Sequence, residues 1–148
     1  MKKSVSITVV VFMFMTVSIA LFAQAQGTEK LSAGTYTVYA RAPQVWRFNV
    51  DAKTMKNATV TGKFTVNDGT PKNIDVFVFD QANYMKFVSE DDTTKAGAKP
   101  IFSALKKSDG TLGVKLTDSG NYYLVLSNLY QYEGKKILAT DISLTYEK

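Results

Sequence analysis

Asp80, Glu90, Asp91 and Asp92 are the side chains in this sequence that come nearest to a catalytic or metal-binding set. Hard oxygen ligands of this kind suit calcium if the segment that carries them folds back on itself. No EF-hand spacing surrounds them. A glycosidase needs two carboxylates held across a cleft with separated pKa values, and nothing in this spacing indicates that. A solvated loop is the plainer reading of Glu90-Asp91-Asp92. Calcium is the alternative; otherwise no cofactor is expected.

The chain has no histidine and no cysteine. That removes Ser-His-Asp and Cys-His nucleophilic sites and every zinc site built from imidazole or thiolate. Neither G-x-x-x-x-G-K-S/T nor G-x-G-x-x-G occurs, so nucleotide binding by those devices is absent. The expectation is a protein that binds and does not catalyse. Aromatic side chains are the remaining candidates. Tyr84, Phe87, Tyr130 and Tyr132 fall in or beside segments that read as connections. Such rings form stacking platforms for sugars or anchors for a protein surface. Their structural alternative is to cap the two ends of an apolar core. Trp46 lies on an apolar strand face and reads as core.

The elements that must carry these rings are strands. Leu116 to Asn128 holds Asp118-Ser119-Gly120 as a tight turn. Tyr122, Leu124 and Leu126 then alternate with Tyr123, Val125 and Ser127. Tyr36, Val38 and Ala40 share one face of an earlier segment, and Trp46, Phe48 and Val50 one face of the next. Val60, Gly62, Phe64 and Val66 point inward in a third, where Gly62 implies a bulge or a close neighbour such as the Trp46 ring. Ile74 to Phe79 is apolar on both faces and suits a strand covered on both sides. Gln81 to Val88 is the one helical candidate past the start of the chain, a turn able to cap one end. Ser89 to Lys99 looks least ordered. Ile101 to Leu105 and Thr111 to Leu116 read as a hairpin. In the last strand Leu138, Thr140, Ile142, Leu144 and Tyr146 share a face. About eight strands with no long helices between them predict an all-β fold, an antiparallel two-sheet β-sandwich of jelly-roll or immunoglobulin-like wiring.

The start reads as a targeting signal: Lys2 and Lys3, an apolar run from Val5 to Phe22, then Ala23-Gln24-Ala25. The predicted organisation is a signal peptide over 1–25, a signal helix first, then a flexible leader over 26–33 and the sandwich over 34–148. A retained membrane anchor is the alternative for the first segment. Lys2 and Lys3 supply two of the +5 charges, so the chain without them carries +3. The remaining lysines are scattered, and no nucleic-acid partner is expected. An exported, cysteine-free chain suits a secreted or periplasmic place in a bacterial envelope.

Asp118-Ser119-Gly120-Asn121-Tyr122 matches D-x-G-x-Y, the corner of immunoglobulin-like sandwiches, with Asp118, Gly120 and Tyr122 as its structural residues. Leu124 stands where an antibody domain carries its second cysteine. Val60-Thr-Gly-Lys-Phe, Asn73 to Asp80, Asn83-Tyr84 and Gly120 to Asn128 together resemble secreted sandwich modules of the GOLD type and the pre-peptidase C-terminal modules of bacterial hydrolases. The resemblance implies a sandwich used for non-catalytic binding. A protein partner is the first expectation. Carbohydrate bound through loop aromatics, with or without calcium, is the second.

Overall fold

The structure, a computed structural model, describes residues 25–148. The expected signal segment lies outside the described residues apart from Ala25. Eight strands are present: β1 (Gln26–Tyr39), β2 (Gln44–Val50), β3 (Lys56–Asp68), β4 (Ile74–Asp80), β5 (Phe102–Lys107), β6 (Asp109–Lys115), β7 (Gly120–Ser127) and β8 (Lys135–Glu147). Two short helices, α1 (Gln81–Phe87) and α2 (Asp92–Ala96), separate β4 from β5. The antiparallel pairs are nested: β1 with β8, β2 with β7, β3 with β6 and β4 with β5. One sheet runs β1-β8-β3-β6 and the other β2-β7-β4-β5. This is the eight-strand jelly roll, a long hairpin wound over itself. The immunoglobulin-like alternative is therefore set aside, although its corner motif is present.

Alternation does the packing. Val60, Phe64, Val66, Leu138, Ile142 and Leu144 of the first sheet face Phe48, Val76, Val78, Leu124 and Leu126 of the second, all buried. Tyr36 and Trp46 meet edge to face at 5.0 Å between the edge strands β1 and β2. Trp46 is half-buried against the core, as its apolar strand face implied. Phe77 and Phe79 occupy the outer face of β4 and are covered, so the two-sided pattern of that strand is realised.

Several sequence expectations need correction. Residues 26–33 are not a loose leader: they pair with the end of β8, from Gln26 opposite Glu147 onward. A bulge between Lys30 and Ser32 buries both Leu31 and Ser32, which erases the alternation that marks a strand. The expected hairpin of β5 and β6 does not form. β5 pairs with β4 and β6 with β3, so the chain crosses between sheets at Ser108, whose carbonyl accepts from the Val66 N–H at 2.7 Å. Gly62 does have a close neighbour, but it is β8 backbone and not the Trp46 ring. A Cβ there would sit 2.1 Å from the Asp141 carbonyl oxygen.

The helical segment is also placed differently. It begins directly after β4, where the Asp80 carboxylate accepts from the Asn83 N–H at 2.8 Å and caps α1. It then lies on the outer face of the second sheet instead of over one end. Tyr84 stacks on Tyr123 of β7, and Phe87 joins Phe77 and Phe79 of β4 at 5.5 and 5.0 Å. Val125, on the outer face of β7 between Val45 and Phe77, is 0% exposed. Among the described residues no helix is long and apolar enough to cross a membrane.

Candidate functional site

Antiparallel winding gathers four connections at one end of the sandwich: β1–β2, β3–β4, β5–β6 and β7–β8. The β7–β8 loop carries Tyr130 and Tyr132, and they play different parts. The Tyr130 hydroxyl donates to the Asn73 main-chain carbonyl at 2.7 Å and also touches that residue's side-chain amide. Gln131 Nε2 donates to the Thr70 carbonyl at 3.2 Å, and Lys136 Nζ donates to the Pro71 carbonyl. These bonds tie the β3–β4 and β7–β8 loops together. Burial, and then the charge of Asp75, push the Tyr130 phenol up to about 12, so it remains a donor at ordinary pH.

Tyr132 is 81% exposed. The Arg41 guanidinium carbon stands 4.6 Å from its ring centroid, a cation–π distance. The Ala40 N–H donates to the Gly134 carbonyl at 2.9 Å and so ties the arginine's loop to the tyrosine's. Tyr39 and Leu129 at the same end are exposed as well. Lys106 Nζ lies 5.6 Å from the Tyr130 centroid. Lys136 is buried with a carbonyl as its partner, and desolvation lowers its pKa. Asn128 is 0% exposed, and neither atom of its amide has a partner among the described residues.

Tyr84, Phe87, Asp80 and Asp91, four of the other expected site residues, are drawn into the scaffold. Tyr84 and Phe87 dock α1 on the sheet. Asp80 caps α1, and its second oxygen accepts from Asn83 Nδ2 at 2.8 Å. Asp91 caps α2 by accepting from the Thr94 N–H at 2.6 Å, and bonds from Thr94 hold its carboxyl below the usual range. Glu90 and Asp92 are exposed. The described residues contain no group of three or more Asp, Glu, His or Cys side chains close enough to hold a metal ion. An open hollow of about 490 Å³ lies at the opposite end, lined by Asp80, Ile101, Lys115, Asp118, Asn121 and Tyr122 among others.

Tyr122 itself is the structural corner that its motif implied. Its hydroxyl donates to the Asp118 carbonyl at 2.7 Å, and Gly120 supplies the φ of +155° that lets the strand begin there. Burial, with the nearby charge of Asp118, raises the phenol's pKa.

No family model and no curated protein matches this chain. What the loop end presents is a solvent-facing tyrosine braced by an arginine, on loops that hydrogen bonds hold in place. The sequence alone pointed to Tyr130 and Tyr132, and the fold sets Arg41, Lys106, Lys136 and Asn128 beside them. Nothing local marks any of these four: each becomes notable through a partner, or the lack of one, far along the chain.

Proposed function

We propose that this chain is an exported, non-catalytic binding module whose loop end engages another protein. The export part rests on Lys2, Lys3, the apolar run and Ala23-Gln24-Ala25. Binding rests on one observation above all: Tyr132 is 81% exposed and braced by Arg41. Tyrosine and arginine are the residue types that dominate binding energy at protein interfaces. A ring prearranged by its neighbour loses little freedom when a partner covers it. The lack of histidine and cysteine fits a binding role. The resemblance to GOLD-type and pre-peptidase C-terminal sandwiches belongs to the same reading.

Affinity capture from the source envelope, with Tyr132→Ala as control, tests the proposal. A partner retained by the parent chain and lost by the variant is expected. Equal recovery by both would sink it. A second reading, carbohydrate binding, draws on the same exposed ring, which is able to stack on a pyranose face. A glycan array with and without chelator separates the two, since a protein-binding surface gives no array signal.

A further inference from the structure

Among the described residues, three positions other than glycine have left-handed backbone: Arg41 at φ 61°, Asn57 at 52° and Lys106 at 51°. Asparagine tolerates that conformation; arginine and lysine carry the full Cβ penalty. Arg41 and Lys106 are also the two cations stacked on Tyr132 and Tyr130. Glycine at either place would relieve the backbone. Arg41 lies in the turn that returns Ala42 to Tyr39, and Lys106 in the β-bulge of β5 beside Asp75. Both geometries accept glycine, yet each place holds a cation set against a tyrosine of one loop, and outliers of this kind gather at binding sites.

Neither cation has a carboxylate within ion-pair distance; the one salt bridge among the described residues joins Lys30 and Asp141. Asp75 takes the main-chain N–H of Lys106 at 2.7 Å. Exposed Lys72, Lys107 and Lys135 stand at the same end, and Lys136 adds a buried positive charge. The exposed acids there include Asp68 and Asp109, already accepting from the Gly69 N–H and the Ser108 hydroxyl, and Glu133.

The spacing of the two cations narrows the ligand. Arg41 precedes β2 and Lys106 nearly ends β5, the two edge strands of the second sheet. Three strand spacings separate those edges, about 14 Å in all, which an extended chain covers in about four residues. We infer that this end of the sandwich takes an extended acidic peptide segment, whose carboxylates about four residues apart meet Arg41 and Lys106. Its apolar side chains rest on Tyr132, Tyr39 and Leu129. That exposed apolar rim suits a peptide better than a hydroxyl-rich acidic polysaccharide. The inference rests on the protein-binding reading and adds the chemistry of the partner.

Fluorescence anisotropy on the purified protein tests it, with a labelled Glu-x-x-x-Glu peptide carrying leucine between the acids. The same peptide with Gln for Glu, and an oligouronate, serve as comparisons. The Glu peptide binds, and its affinity falls as salt rises from about 50 to about 300 mM. Arg41→Gly and Lys106→Gly each weaken it about three- to tenfold. Both variants melt at or above the temperature of the parent, which separates lost binding from lost folding. Equal binding of the Glu and Gln peptides overturns the inference. So does unchanged affinity in both variants, a fall in melting temperature in both, or binding of the oligouronate alone. A partner captured through Tyr132 but indifferent to both glycine variants removes the acidic segment and leaves the binding module standing.

Discussion

The ring of Tyr84 in α1 lies flat on that of Tyr123 in β7, with centroids 3.9 Å apart and planes 7° from parallel. This stack and the Phe77–Phe79–Phe87 cluster hold the connection between β4 and β5 on the sheet. Tyr84→Ala should cost about 1–2 kcal/mol, the pair term plus lost area. Phe87→Ala should cost about 2–3 kcal/mol, below the full core value because the ring is half-buried. Hydrogen exchange distinguishes a local from a global effect. Amides of residues 81–100 should exchange faster in both variants while those of β3 and β8 keep most of their protection.

The corner admits a single-atom test. Tyr122→Phe removes the hydroxyl that reaches the Asp118 carbonyl and leaves that carbonyl to solvent. A loss of about 1–2 kcal/mol in urea unfolding is expected, with ligand binding unchanged. An unaltered midpoint would show that the bond contributes nothing to the strand's entry.

Tyr130 and Tyr132 should separate cleanly. Tyr130→Phe breaks the bond to Asn73 and should lower stability by about 1 kcal/mol. Tyr132→Ala, at a residue 81% exposed, should stay within about 0.5 kcal/mol of the parent. Thermal melts of the two variants side by side check this. A marked loss at Tyr132 would mean that the ring supports the loops and is not free for a partner.

Gly62 should tolerate no side chain. A Cβ would meet the Asp141 carbonyl oxygen at 2.1 Å and Ile142 Cα at 2.6 Å, both backbone, and the φ of +144° disfavours any L residue. Gly62→Ala should destabilise by about 2–4 kcal/mol, measured by denaturant midpoint. Gly113→Ala, with open space around its Cβ, provides the mild control.

Asp75 gives a pH dependence. Burial pushes its carboxyl above the usual range, while the Lys106 N–H and charge pull it down by less. An acid with a raised folded pKa contributes stability that is fully present below its unfolded pKa, near about 3.9, and is lost as pH rises through the folded value. At neutral pH the ionised group is thus a small liability. Asp75→Asn keeps an acceptor for the Lys106 N–H and should be more stable than the parent at pH 7, by less than about 1 kcal/mol given its exposure. The advantage should vanish toward pH 3. Urea melts across that range decide it, and a variant weaker at pH 7 would show that attraction to Lys106 outweighs desolvation.

Read alone, the residue order determined the strands of regular alternation, the helix after Asp80, the tyrosine corner and the chemistries that the composition forbids. Each of these is a local property, written within about ten residues by periodicity, turn residues or residue type. The strand hidden by the Lys30/Ser32 bulge, the sheet exchange at Ser108 and the neighbour of Gly62 were decided by pairing with distant strands. The same holds for the candidate site. Arg41 becomes the brace of Tyr132 only because β1 and β8 are partners from opposite ends of the chain. Contacts of that range depend on which backbones close on one another, and no nearby residue records the choice.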